Sequence, residues 1–429
     1  MFYKSLTLLI LIFILIPNLH AQEKFMVSEK PISFASEITL YSAFLKEQQK
    51  IHVYLPEGYE SAAEHIEYPV IYALDGWALS QTVSGVVNHL GITAAMPKSI
   101  VIAIHNDDDY AYGPELYQSK SGWGDDPSVR LSQFSGGEID SYMNFLEEEL
   151  IPFVDQQYRT NHFRVFVGMS PSAAVGLHTF WKAPDLFDAH FLFAATDVIG
   201  MGYTPETTFI DKIAQSMKEN PNRKGYLYIA SAKLEADRNP IRNENIAKLN
   251  KTLKPYTNKY FKFKAEHIEE FGHYPMVVPG LLNAINLVFP RSDWNMSKQF
   301  RILRSQPGNA LENILSYYEK LSEQVGFKVN PNTDLRRNAS CYRVAAYRLR
   351  SQKRLEESEQ IYKQWILDEP NSAKAHYGLA VTLEDSKQLN SALIYSEKAL
   401  KLATNKRSPN IEIYRKLFLE LQEKVNANK

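Results

Sequence analysis

The chain is 429 residues long, 45% apolar and 23% charged, with a formal net charge of −1. That length holds two or three domains, since a domain runs to roughly 100–200 residues. The near-neutral balance excludes the strongly basic surface by which proteins hold nucleic acid or anionic membranes. A single cysteine, Cys341, excludes an intrachain disulfide and reads as small-residue packing.

The first element is a targeting segment. Lys4 precedes an apolar run from Leu6 to Ile16, broken only by Thr7, and Leu19-His20-Ala21 offers a cleavage site before Gln22. The run is shorter than the roughly 20 residues that span a bilayer. Residues 1–21 are therefore expected to be a signal peptide. The mature chain is expected to be secreted or periplasmic, with no stable membrane insertion after cleavage.

From about residue 30 to 290, strands alternate with helical stretches. Lys50 to Leu55 alternates polar and apolar, as a half-exposed strand does. Tyr68 to Leu74 and Ser99 to Ile104 are continuous apolar runs, which predict central strands buried on both faces. Asp75-Gly76-Trp77 follows the first of these runs, and Asp75 reads as a turn-former. After the second come two acidic clusters, Asn106 to Asp109 and Asp125-Asp126, read as solvated loops rather than a metal site. Glu138 to Val154 has helical spacing, and Arg164 to Val167 is a further buried strand. Such alternation predicts a mostly parallel sheet covered on both faces.

The segment Gly168-Met169-Ser170-Pro171-Ser172-Ala173 then reads as strand, sharp turn and helix start. Gly-x-Ser at such a turn is how an α/β-hydrolase presents a nucleophile, which makes Ser170 the candidate. Its base is expected in a loop after a late strand. His273, between the strand-like Tyr260 to Lys264 and a helix from Val277 to Val288, fills that place; His267 is its nearest rival. The orienting carboxylate is expected after the strand Tyr226 to Ala230, where Glu235 is the favoured candidate and Asp237 the alternative. The order serine, acid, histidine is the hydrolase order. Gly76 and Trp77 are the expected oxyanion-hole residues. Pro171 conflicts with this set, because the residue after the nucleophile supplies half the oxyanion hole and proline has no N–H.

Beyond about residue 296, glycine nearly vanishes and a repeat appears at a spacing of 34 residues. Tyr342, Ala346, Leu349, Leu355 and Ser358 recur as His376, Ala380, Leu383, Leu389 and Ala392. The pattern resembles two tetratricopeptide repeats. The expected organisation is 1–21 signal peptide, 22–295 hydrolase domain, 296–338 connecting helices, 339–406 two repeats and 407–429 a capping helix.

Several stretches together resemble the esterase family of α/β-hydrolases, which includes feruloyl esterases, siderophore esterases and S-formylglutathione hydrolases. They are Ile51 to Tyr59, Tyr68 to Gly76, Phe145 to Pro152 with Tyr158-Arg159-Thr160, and Pro184 to Asp188. Members with a tetratricopeptide-like tail form the subgroup it resembles. The resemblance implies an α/β-hydrolase fold, with Ser170 as nucleophile, His273 as base and Gly76-Trp77 in the oxyanion loop. The elbow departs from the family's G-H-S-x-G-G, since Ser172 and Ala173 replace both glycines. The loop that often carries an arginine reads Asn106-Asp107-Asp108-Asp109-Tyr110.

The expected function is an exported serine esterase that cleaves a small-molecule acyl ester, sugar-linked or a siderophore ester, without cofactor or metal. The rival expectation is a catalytically impaired, hydrolase-like scaffold whose repeats bind a protein or peptide. Neither involves nucleic acid.

Overall fold

The apolar runs read from the sequence lie side by side in one sheet. The computed structural model describes residues 32–105, 116–118, 130–131, 139–204, 206–294, 307–334 and 341–427, and residues 37–429 form one unit. The expected signal segment and both acidic clusters lie outside the described residues.

Eight strands make the main sheet: β1 Ser36–Ser42, β2 Glu47–Tyr54, β3 Tyr68–Ala73, β4 Ile100–His105, β5 Thr160–Met169, β6 Ala189–Phe193, β7 Gly225–Ala232 and β8 Phe261–Ile268. Their spatial order is β1-β2-β4-β3-β5-β6-β7-β8. β2 is antiparallel to β4, and from β4 to β8 every pairing is parallel. All six residues of β3 are buried, as a strand covered on both faces requires.

Helix α1 (Gly76–Ile92) covers one face of the sheet. The other face is covered by α2, which runs as Ile139–Asn144, Phe145–Leu150 and Ile151–Gln157, and by α3 (Pro171–Lys182) and α4 (Phe209–Glu219). The middle of α2 is a π-helix. Pro152 has no N–H to give to the preceding turn, and the backbone widens just before it. A single turn, α5 (Lys233–Ala236), follows β7. Next come α6 (Ile241–Leu253), on the α3 face, and α7 (Val277–Val288), beside α1.

The C-terminal run of helices comprises α8 (Ala310–Val325), α9 (Tyr342–Ser351), α10 (Leu355–Asp368), α11 (Ala373–Asp385), α12 (Leu389–Asn405) and α13 (Ile411–Ala427). Small residues let these helices approach closely: Ser358 Oγ donates to the Ala346 carbonyl at 2.8 Å. Cys341 is buried against Ala94.

One apolar core crosses from the sheet into this helical run. It passes through Phe163, Phe289 and Trp294 to Tyr318 and Leu321, and on to Trp365 and Leu379. The rings of Phe163 and Phe327 lie 4.8 Å apart, and Ala63 N–H donates to the Asp368 carbonyl at 2.8 Å. This seam lies where β3, β4 and β5 begin. A cavity of about 60 Å³ there is lined by Tyr68, Met96, Trp294, Tyr318 and Phe327. The opposite edge of the sheet, where the parallel strands end, is the usual ligand side of an open α/β sheet. Among the described residues no helix is long and apolar enough to cross a membrane.

Candidate active site

Ser170 stands between the end of β5 and the start of α3, with φ 54° and ψ −114°. A non-glycine residue pays about 1–3 kcal/mol to hold such a conformation, and a sharp, strained strand-to-helix turn is the geometry of a nucleophile elbow. Ser170 N–H donates to the Phe193 carbonyl at 2.9 Å, which ties the elbow to β6. Pro171 begins α3, a helix position that needs no N–H. Gly168 is required here, because a Cβ would come within 2.8 Å of the Ser172 carbonyl.

Ser172 is fully buried and polar. Its hydroxyl accepts from Met169 N–H at 2.7 Å and donates to the Asp75 carboxylate. Asp75 has left-handed backbone, φ 55° and ψ 48°, and caps the start of α1. It is thus the expected turn-former and also the partner of the elbow. Sequence reasoning missed this tie, since a serine in place of a family glycine carries no local sign of a partner 97 positions earlier.

Gly76 and Trp77 are the first two residues of α1, so the chain turns directly into a helix. Ala78 and Leu79 N–H both bond to the Asp75 carbonyl. The N–H groups of Gly76 and Trp77 have no acceptor among the described residues and project from a helix end that favours negative charge. The Trp77 ring is exposed and meets Tyr274 edge-on at 6.1 Å.

His273 lies in the loop between β8 and α7, and its Nδ1 is 2.9 Å from Glu235 Oε1. A carboxylate only accepts, so Nδ1 carries the proton and Nε2 is left to take one. Burial works to raise the pKa of Glu235. The hydrogen bond and charge of His273, with Arg242 and Arg238, outweigh it and hold the carboxyl below its ordinary value. Asp237, the alternative acid, pairs with Lys233 instead and is more than half exposed. His267 lies within β8 with both ring nitrogens unpartnered, and burial lowers its pKa. Neither Ser170 Oγ nor His273 Nε2 has a hydrogen-bond partner among the described residues. No group of three or more His, Cys, Asp or Glu among those residues is placed to hold a metal ion.

Behind Glu235 stands a pair that sequence reasoning also missed. Arg242 on α6 donates to both oxygens of Asp197, at 2.8 and 2.5 Å. Its Nη1 lies 3.9 Å from Glu235 Oε2.

Residues 42–269 match the family described as "Putative esterase", more than half of the chain. The chain belongs to this family. Carboxylic ester hydrolysis is the chemistry of its class. The matched span of this esterase includes Ser170 and Glu235 and ends four residues before His273. A solved IroE-like serine hydrolase from Shewanella oneidensis is similar to the esterase at 21% identity, with a TM-score of 0.54 over 77% of this chain and 98% of that one. An uncharacterised protein from Capnocytophaga ochracea is similar at 16% identity and a TM-score of 0.51, over 91% of this chain and 99% of that one. Coverage that high extends into the helical run, so the likeness in fold includes it. No curated protein sequence matches the esterase.

Proposed function

We propose that this esterase is a serine hydrolase in which Ser170 is the nucleophile, His273 the general base and acid, and Glu235 the orienting carboxylate. The observation that carries the proposal is the strained backbone of Ser170, on the sheet edge that also holds the His273–Glu235 pair. Ser170 Oγ attacks the ester carbonyl and passes its proton to His273 Nε2. Glu235 stabilises the resulting imidazolium. The oxyanion is met by the N–H groups of Gly76 and Trp77, where the positive end of α1 adds to them. Collapse expels the alcohol, which takes the proton from His273. Water, deprotonated by the same imidazole, then releases the acid and restores Ser170.

Pro171 removes the second donor of the usual hole, a loss of about 2.7–4 kcal/mol, or roughly 10²–10³ in rate. The esterase is accordingly a slow one, and its substrate is a small-molecule acyl ester, with sugar-linked and siderophore esters the first to assay. The apolar run at the N-terminus supports export to the periplasm or beyond.

A fluorophosphonate probe tests the nucleophile. The folded protein should be labelled, and labelling should vanish in Ser170→Ala. A folded protein that takes no label sinks the proposal. Pro171 favours one second reading, a catalytically impaired scaffold. In that reading residues 339–372 and 373–406, closed by 407–429, act as tetratricopeptide-like repeats for a peptide partner, and that result would leave it standing.

A further inference from the structure

We infer that Asp197 and Arg242 are positioning residues for His273, acting through Glu235. The inference rests on the triad reading above. The order of charges is Asp197 negative, Arg242 positive, Glu235 negative, and then the imidazole.

Two of the links are hydrogen bonds, the third is a longer ion pair, and all are partly shielded from water. Arg242 grips Asp197 with two parallel bonds, at 2.8 and 2.5 Å, the geometry that fixes a guanidinium most firmly. The side chains of Asp197 and Arg242 are 12% and 13% exposed, and Glu235 is 21% exposed. One oxygen of Glu235 faces His273 at 2.9 Å and the other faces Arg242 at 3.9 Å. The carboxylate is thus hydrogen-bonded at one oxygen and faces a cation across a longer ion-pair distance at the other.

The frame behind this pair is fixed as well. Asp197 begins a turn after β6. The preceding residue, Thr196, bonds through its N–H to Ser231 Oγ at 3.0 Å and through its carbonyl to Asn245 Nδ2 at 2.8 Å. β6, β7 and α6 therefore all hold the pair in place. The other charged groups around Glu235 and its loop are Lys233 and Asp237, paired with each other, with Arg238, His267 and Glu269. Among the described residues none of these makes a bidentate contact, so the Asp197–Arg242 pair is the fixed charge element of the set.

The consequence is a pair of opposite effects. Arg242 alone would draw Glu235 away from the imidazole. Asp197 offsets that charge, so Glu235 remains available to His273. Removing Arg242 leaves two carboxylates behind the imidazole, and removing Asp197 leaves Arg242 to act on Glu235 without its bidentate counter-charge. A group that only packs would not produce effects of opposite sign.

The experiment reads His273 directly, without needing turnover. Diethyl pyrocarbonate modifies neutral imidazole, and peptide mass spectrometry gives the rate at His273 alone. At pH 6, the rate should fall about threefold in Arg242→Gln and rise about threefold in Asp197→Asn, for a charge removed at a partly screened distance. Arg242→Lys keeps the charge and should stay near the unaltered rate. Rates that do not move, or that move in the same direction in folded variants, overturn the inference. Should Arg242→Gln fail to fold, Asp197→Asn and Arg242→Lys decide: a faster rate in the first with an unaltered rate in the second supports it, and any other pattern overturns it. Loss of fluorophosphonate labelling bears on Ser170 and leaves this measurement intact, so the two failures are distinguishable.

Discussion

Pro171 and Ser172 give the elbow its particular character. If the donor missing at Pro171 limits turnover, Pro171→Ala should raise kcat/KM on a short-chain aryl ester by about tenfold or more. An unchanged rate would mean that the end of α1 serves the oxyanion alone. Ser172 holds the Asp75 carboxylate and Met169 N–H in a fully buried place. Ser172→Ala leaves both without that partner and should cost about 1–3 kcal/mol in urea unfolding. Glu235 adds a pH signature. Its folded pKa is below the ordinary 4.5, so its stabilising contribution is full above that value and is lost as pH falls through the folded pKa. The stability gap between the native chain and Glu235→Gln should therefore be present at pH 7 and close in acid below 4.5. A gap that persists there would contradict the linkage.

In the proposed mechanism the oxyanion depends on the start of α1. A Cβ on Gly76 would come within 2.5 Å of the His105 ring, which packs at a tilt against His52 with ring centroids 3.9 Å apart and so is not free to swing aside. Gly76→Ala should displace the first turn and lower kcat by about 10² with little change in KM; a proportional rise in KM alone would point to ground-state binding instead. Elements buried on both faces were the legible ones. β3, β4, β7 and the second half of β5, from Val165 to Met169, are apolar runs because water reaches neither side. β1, polar and at the sheet edge, and β6, only five residues long, carry too little pattern to be read. Ser170 and His273 are candidates on local settings alone, a strand-to-helix turn and a loop before a helix. Glu235 is preferred to Asp237 in the sequence only by a margin, since both lie on one short turn; the pairing of Asp237 with Lys233 belongs to the folded turn. The Asp197–Arg242 pair spans 45 positions and has no local trace.

At the scale of the whole molecule, the sheet and the helical run share one core. A chain ending at residue 294 would uncover Phe163, Phe289 and Trp294, each worth roughly 1.5–3 kcal/mol when buried. Their sum is comparable with the 5–15 kcal/mol that holds a typical domain. The shortened chain should fail to give a cooperative transition in calorimetry, and the full chain should melt in one. Two independent transitions in the full chain would show that the seam is not a core.

The seam lies where the parallel strands begin, and the loops of the proposed triad lie where they end. Strands are stiff along their length, and six of them are bonded edge to edge between the two sites. The seam is thus separated from Ser170 by the length of the sheet, and the rigidity that the shared core lends to one end reaches the other only along paired strands.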